Sequence, residues 1–112
     1  MSRIGTIDFS GKSGHKYTFN VYPLKHDFQK EKGAVYVVTH RTIKADGLVD
    51  HNLLLIGTIG VISNIPTHLK ESECLQRERA NCICTYWEDN ADLRVNINDD
   101  LINQYHPPCN YE

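Results

Sequence analysis

Hydrophobic and polar residues alternate over residues 4–9 (IGTIDF) and again over 16–22 (KYTFNVY). A period of two puts the apolar side chains of a strand on one face. The Gly-Lys-Ser-Gly stretch at 11–14 lies between them, so the two runs predict a β-hairpin. Pro23 ends the second run, because proline has no N–H for a ladder. Residues 24–33 are polar, with room for one helical turn closed by Gly33. AVYVVTHR (34–41) is apolar without alternation and rich in β-branched residues, the pattern of a strand buried on both faces. Residues 42–52 read as a turn-rich loop around Asp46-Gly47, and LLLIGTI (53–59) as a strand that pairs with 34–41.

The second half mixes periods. Ile62, Ile65 and Leu69 suit a helix within 60–79, capped by Ser63 or Ser72, with Pro66 in its first turn or breaking it. ANCICTYW (80–87) returns to a strand pattern. Asp89 or Asn90 caps a last helix reaching about Tyr105, with Leu93, Ile97, Leu101 and Tyr105 as its buried stripe. Pro107-Pro108 stops it. Hairpin, strand, strand, helix, strand, long helix predicts an α+β fold of the α/β sandwich kind, a small mixed β-sheet flanked by helices.

At 112 residues the chain predicts one domain. No apolar run approaches the roughly 20 residues of a membrane span, and MSRIGTIDFS contains no apolar signal core. The expectation is a cytoplasmic protein with no membrane association. In a reducing compartment Cys74, Cys82, Cys84 and Cys109 are expected as free thiols serving as small core residues. Two other readings stay open. One is a metal site using Cys82 and Cys84 with Cys74, Cys109 or His106, although Cys-x-Cys in a strand lacks the usual knuckle. The other is a disulfide. Twelve basic residues against 14 acidic ones leave a net charge of −2, which argues against binding nucleic acid mainly through its phosphates.

Three segments together resemble GIY-YIG endonuclease domains. AVYVV (34–38) is similar to the first motif strand, LIGTIG (55–60) to the second, and RVNINDDLINQYHPPCN (94–110) to the C-terminal helix and tail. The resemblance covers residues 34–110 and makes residues 1–33 an N-terminal hairpin extension. The segment between the two tripeptides, Val37 to Leu54, is 18 residues, longer than is usual in the family. The resemblance implies metal-dependent cleavage of DNA. A tyrosine from each strand lines the site, a helix arginine holds the phosphate, and a glutamate on the last helix binds the metal.

Taken position by position, the first tyrosine is Tyr36. The second position is Leu55, the arginine position is Ile65, and the glutamate position is Asn98. Leucine has no phenol, isoleucine cannot hold a phosphate, and neutral asparagine offers a divalent cation only a carbonyl oxygen. Losing one oxyanion-stabilising donor alone costs about 3 kcal/mol. The residues near enough in sequence to rebuild a site are His40, Arg41 and His68. The tail Asn110 matches a family position with a structural look, tying the tail to the site.

On and before the last helix, Glu88, Asp89, Asp92, Asp99 and Asp100 stand against a single base, Arg94. Such acids would repel phosphate. They read either as a solvated face favouring the helix N-terminus or as a binding surface for a basic protein. Tyr86 and Trp87 read as packing residues rather than as a base-stacking platform. The expectation is a catalytically inactive nuclease-like domain that acts by binding a protein, a related nuclease being one concrete form. No cofactor is expected. An active endonuclease with a rearranged site, using Mg²⁺ or Mn²⁺, and a non-catalytic nucleic-acid binder are the alternatives.

Overall fold

The computed structural model describes residues 3–65, 69 and 72–111. Five strands form one sheet: β1 (Gly5–Ser10), β2 (Lys16–Pro23), β3 (Ala34–Ile43), β4 (Val49–Ile59) and β5 (Cys82–Trp87). Among the described residues, the helices with full bounds are α1 (Glu73–Arg77) and α2 (Ala91–Tyr105), with short 3-10 turns at Ile62–Asn64 and Pro108–Tyr111; Ile65 and Leu69 are also helical. The architecture is α+β, as expected. The sheet, however, is antiparallel throughout rather than mixed, in the order β1-β2-β5-β3-β4. β5 inserts between β2 and β3 and runs opposite to both. The β1–β2 hairpin is part of the same sheet, because β2 pairs directly with β5.

The loop expected over 42–52 is mostly strand. β3 and β4 stay paired out to Ile43 and Val49, and a tight turn closes at Lys44–Leu48, where Gly47 takes φ +86°. Residues 42–50 are exposed on both faces, so this ribbon carries no hydrophobic alternation to announce it. The apolar run Leu53-Leu54-Leu55 is explained by a β-bulge opposite Val38 and Thr39. A bulge places two successive side chains on one side. Leu54 and Leu55 pack on the same face, while Leu53 and Ile56 pack on the other. The helical turn expected in residues 24–33 does not form.

The sheet separates two apolar layers. One joins Phe9, Phe19, Val21, Val35, Val37, Ile56, Cys82 and Cys84 to Ile97 and Leu101 of α2. α2 contacts both edge strands, β1 and β4, so the sheet curls around it. The other layer joins Val38, Leu54 and Ile83 to Ile62, Ile65, Leu69, Leu75 and Phe28. Asn90 caps α2, accepting from Leu93 N at 3.0 Å, and Ser72 caps α1, accepting from Leu75 N at 3.2 Å. The buried stripe of α2 is narrower than expected: Ile97 and Leu101 are buried, but Leu93 is 47% exposed.

The cysteines also differ from expectation. Cys74 and Cys109 form a disulfide, with Cα atoms 5.7 Å apart, linking α1 to the C-terminal 3-10 turn. Cys82 and Cys84 are free and buried in the α2 layer. The four therefore do not converge on a metal.

Candidate functional site

β3 and β4 lie side by side with Tyr36 opposite Gly57, Val37 opposite Ile56 and Val38 opposite Leu55. The two segments that carry the resemblance are thus direct neighbours. The tail reaches the same place. Asn110 accepts from Ile56 N at 2.8 Å and donates to Ile56 O at 2.7 Å. Its side-chain amide satisfies the outer backbone groups of the edge strand as another strand would.

Tyr36 lies over Gly57, where a Cβ would collide with the phenol oxygen. Tyr36, Leu55 and Ile65 all belong to the layer opposite α2. Burial raises the Tyr36 pKa above its ordinary value, which keeps the phenol protonated at neutral pH. Asn98 stands on α2, beside Ile97, and α2 packs on the other layer. Its Oδ1 is buried without a hydrogen-bond partner among the described residues. Three of the four resemblance positions therefore share one layer, and the fourth is on the helix that packs against the other. Among the described residues, no group of three or more His, Cys, Asp or Glu side chains is placed to hold a metal ion.

Of the residues expected to rebuild the site, His40 and Arg41 are among the described residues and are engaged elsewhere. His40 shares its face by strand alternation, but its Nδ1 is bonded to Arg79 O at 2.8 Å. Arg41 points the other way, lining a small cavity with Ile4, Val21, Val49 and His51. Asn81 clips the Arg41 backbone, accepting from its N–H at 2.7 Å and donating to its carbonyl at 2.9 Å. His68 lies outside the described residues. No local pattern in the sequence points to His51, Thr39 or Asn81; each acts through partners 12 to 40 residues away.

The acids do not form one face. Asp100 accepts from Ser13 N at 2.8 Å, Ser13 Oγ at 2.7 Å and Tyr17 Oη at 2.8 Å, clamping the β1–β2 turn to α2. Gly11 is required there, because a Cβ would run into the Asp100 carboxylate. The Ser13 bonds, with that of Tyr17, hold the Asp100 pKa below the usual carboxylate range. Burial and the Asp100 bond push Tyr17 up to about 12. Asp89 accepts from Gly33 N at 3.0 Å and Glu88 from Asn90 N at 3.1 Å. Arg94 donates to the carbonyls of Glu88 and Asp89 at 2.9 and 2.8 Å. Asp92 and Asp99 remain on the exposed surface.

Tyr86 packs in the core against Phe19 and Tyr17. Trp87 is covered by Lys30, 4.7 Å from its ring centre, and by the edge of Phe28. Trp87 also lines a cavity of about 350 Å³ with Tyr22, His26 and Phe28. Among the described residues, no helix is long and apolar enough to cross a membrane. No family model matches the sequence, and no curated protein and no solved structure matches it either.

Proposed function

We propose that this protein is a binding domain with a degenerate GIY-YIG-like fold, that it does not cleave nucleic acid, and that its partner is a protein. The observation that carries the reading is the surroundings of Tyr36. The phenol lies over Gly57, in the same apolar layer as Leu55 and Ile65, and the last helix packs on the other layer. A nuclease needs a cation for the phosphate and a carboxylate for the metal beside that tyrosine. The fold part is supported by the pairing of the two motif strands and by the Asn110 clip on the second.

The choice of a protein partner is supported by the outer β3–β4 ribbon. Ile43 is 65% exposed, Leu48 63% and Val49 47%. Exposed apolar residues grouped at one place mark protein contacts more often than phosphate contacts, which call for a basic surface. The test is affinity capture from the source cells with the wild-type protein and with an Ile43→Asp/Leu48→Asp variant, scored for protein and nucleic acid together. The expected result is a protein held by the wild type and lost from the variant. Recovery of DNA or RNA in a salt-sensitive complex that ignores the variant would overturn the partner class.

A further inference from the structure

The curled sheet leaves one end of its inner layer open. Here β1 and β4, the two edge strands, approach each other around a cavity of about 120 Å³. Its walls include Ile4, Val21 and Val49, and its polar groups include Arg41 and His51. Sites for drug-sized ligands start at roughly 300 Å³, so only a small group fits.

Both polar groups are held from behind. The Asn81 clip fixes Arg41 through its backbone and leaves the guanidinium uninvolved. No ion pair or side-chain hydrogen bond engages that guanidinium among the described residues. His51 is fixed through Nδ1, 2.8 Å from the hydroxyl of Thr39, which is fully buried. Thr39 is in turn a hydrogen-bond partner of Cys84, whose burial pushes the thiol up to about 12 and keeps its proton on. With the Thr39 hydroxyl donating to His51 Nδ1, the ring proton resides on Nε2. Burial, with the Arg41 charge, also lowers the His51 pKa, so the ring is a neutral donor near pH 7. Asp50 opposes that shift more weakly and stays on the exposed surface.

We infer that this cavity binds a carboxylate carried on a short aliphatic group, with Arg41 as the charge partner and His51 as the second donor. One guanidinium fork matches one carboxylate in charge and in planar geometry. The Ile4, Val21 and Val49 walls suit a branched hydrocarbon stub. Two sources share this chemistry, a free aliphatic acid of a few carbons and a peptide C-terminus ending in an aliphatic residue. The site is separate from the Tyr36 layer and does not depend on the partner proposed above.

The test is an NMR titration of the isotope-labelled full-length protein with isobutyrate, isobutyramide, inorganic phosphate, acetyl-Gly-Val acid and acetyl-Gly-Val amide. The expected result is saturable shifts of the Val21 and Val49 methyls and of the His51 ring with the two acids, and none with the two amides. The tighter of the two acids identifies the source. Arg41→Met should weaken acid binding at least tenfold while the Leu101 methyls stay in place, since Asn81 holds the backbone and not the side chain. The acid–amide comparison needs no variant. Equal shifts from acid and amide, tighter binding of phosphate, or unchanged affinity in Arg41→Met would each overturn the assignment.

Discussion

The two faces of the sheet bury similar apolar layers by different means. One is covered by a single 15-residue helix, α2, with an asparagine cap and two fully embedded contact points, Ile97 and Leu101. The other is covered by Ile62, Ile65, Leu69 and Leu75, carried on pieces that include a three-residue 3-10 turn and a five-residue helix. Helices that short do not hold themselves together. They are fixed from outside, by the Cys74–Cys109 disulfide and by Asn110 on the edge of β4. A long amphipathic helix anchors its face through local sequence. A face built from fragments depends on cross-links between distant residues.

The largest effect should come from the helix-covered face. Leu101 is fully buried, and Leu101→Ala should cost about 3 kcal/mol in urea unfolding. A loss below about 1 kcal/mol would mean that α2 is not the main anchor of its layer.

Next is the disulfide, which spans 35 residues. A Cys74→Ser/Cys109→Ser variant should lose about 3 kcal/mol. Hydrogen exchange should speed up first at Glu73–Arg77 and Pro108–Tyr111, with Ala91–Tyr105 still protected. Uniform loss of protection over both faces would break the comparison.

Asn110→Ala removes two hydrogen bonds and frees the backbone of Ile56. The expected cost is about 2 kcal/mol, again with exchange rising on the β4 edge before α2.

The smallest effect tests the clamp between α2 and the first hairpin. Asp100→Asn should cost about 1 kcal/mol at neutral pH, given the exposure of the site. The Asp100 pKa is depressed in the folded protein. Its contribution is therefore complete above the ordinary carboxylate pKa of about 4 and is lost as the pH falls through the lower folded value. The gap between wild type and Asp100→Asn should close across that acid range. A gap independent of pH would contradict the assigned bonds.

The same contrast governs what could be read from the sequence. The strands, the last helix and its Asn90 cap follow from periodicity and capping chemistry, which are local. The outer ribbon is hidden because residues 42–50 are solvated on both faces and so lack alternation. Leu93 looks buried because the spacing of four continues through it, although in the first turn of α2 it stays exposed. The bulge at Leu54 breaks the period of two, and a register change of that kind is visible only once β3 is beside β4. The insertion of β5 between β2 and β3, the disulfide and the Asn81 clip are long-range choices with no local signature. Of the candidate site, Tyr36, Leu55 and Ile65 share a layer. Arg41 belongs to the opposite face from the one expected, and His51 has no local signal because its role is set by Thr39 from another strand.

In the proposed reading, this domain is set apart from a nuclease by the surroundings of Tyr36, which belongs to an apolar layer, with no group of three or more His, Cys, Asp or Glu side chains placed to hold a metal ion among the described residues. The direct measurement is cleavage of supercoiled, linear and branched DNA by purified protein in Mg²⁺ and in Mn²⁺, with Tyr36→Phe run in parallel. No turnover above buffer is expected for either protein. Cleavage that survives repurification and disappears in Tyr36→Phe would contradict this reading of the site.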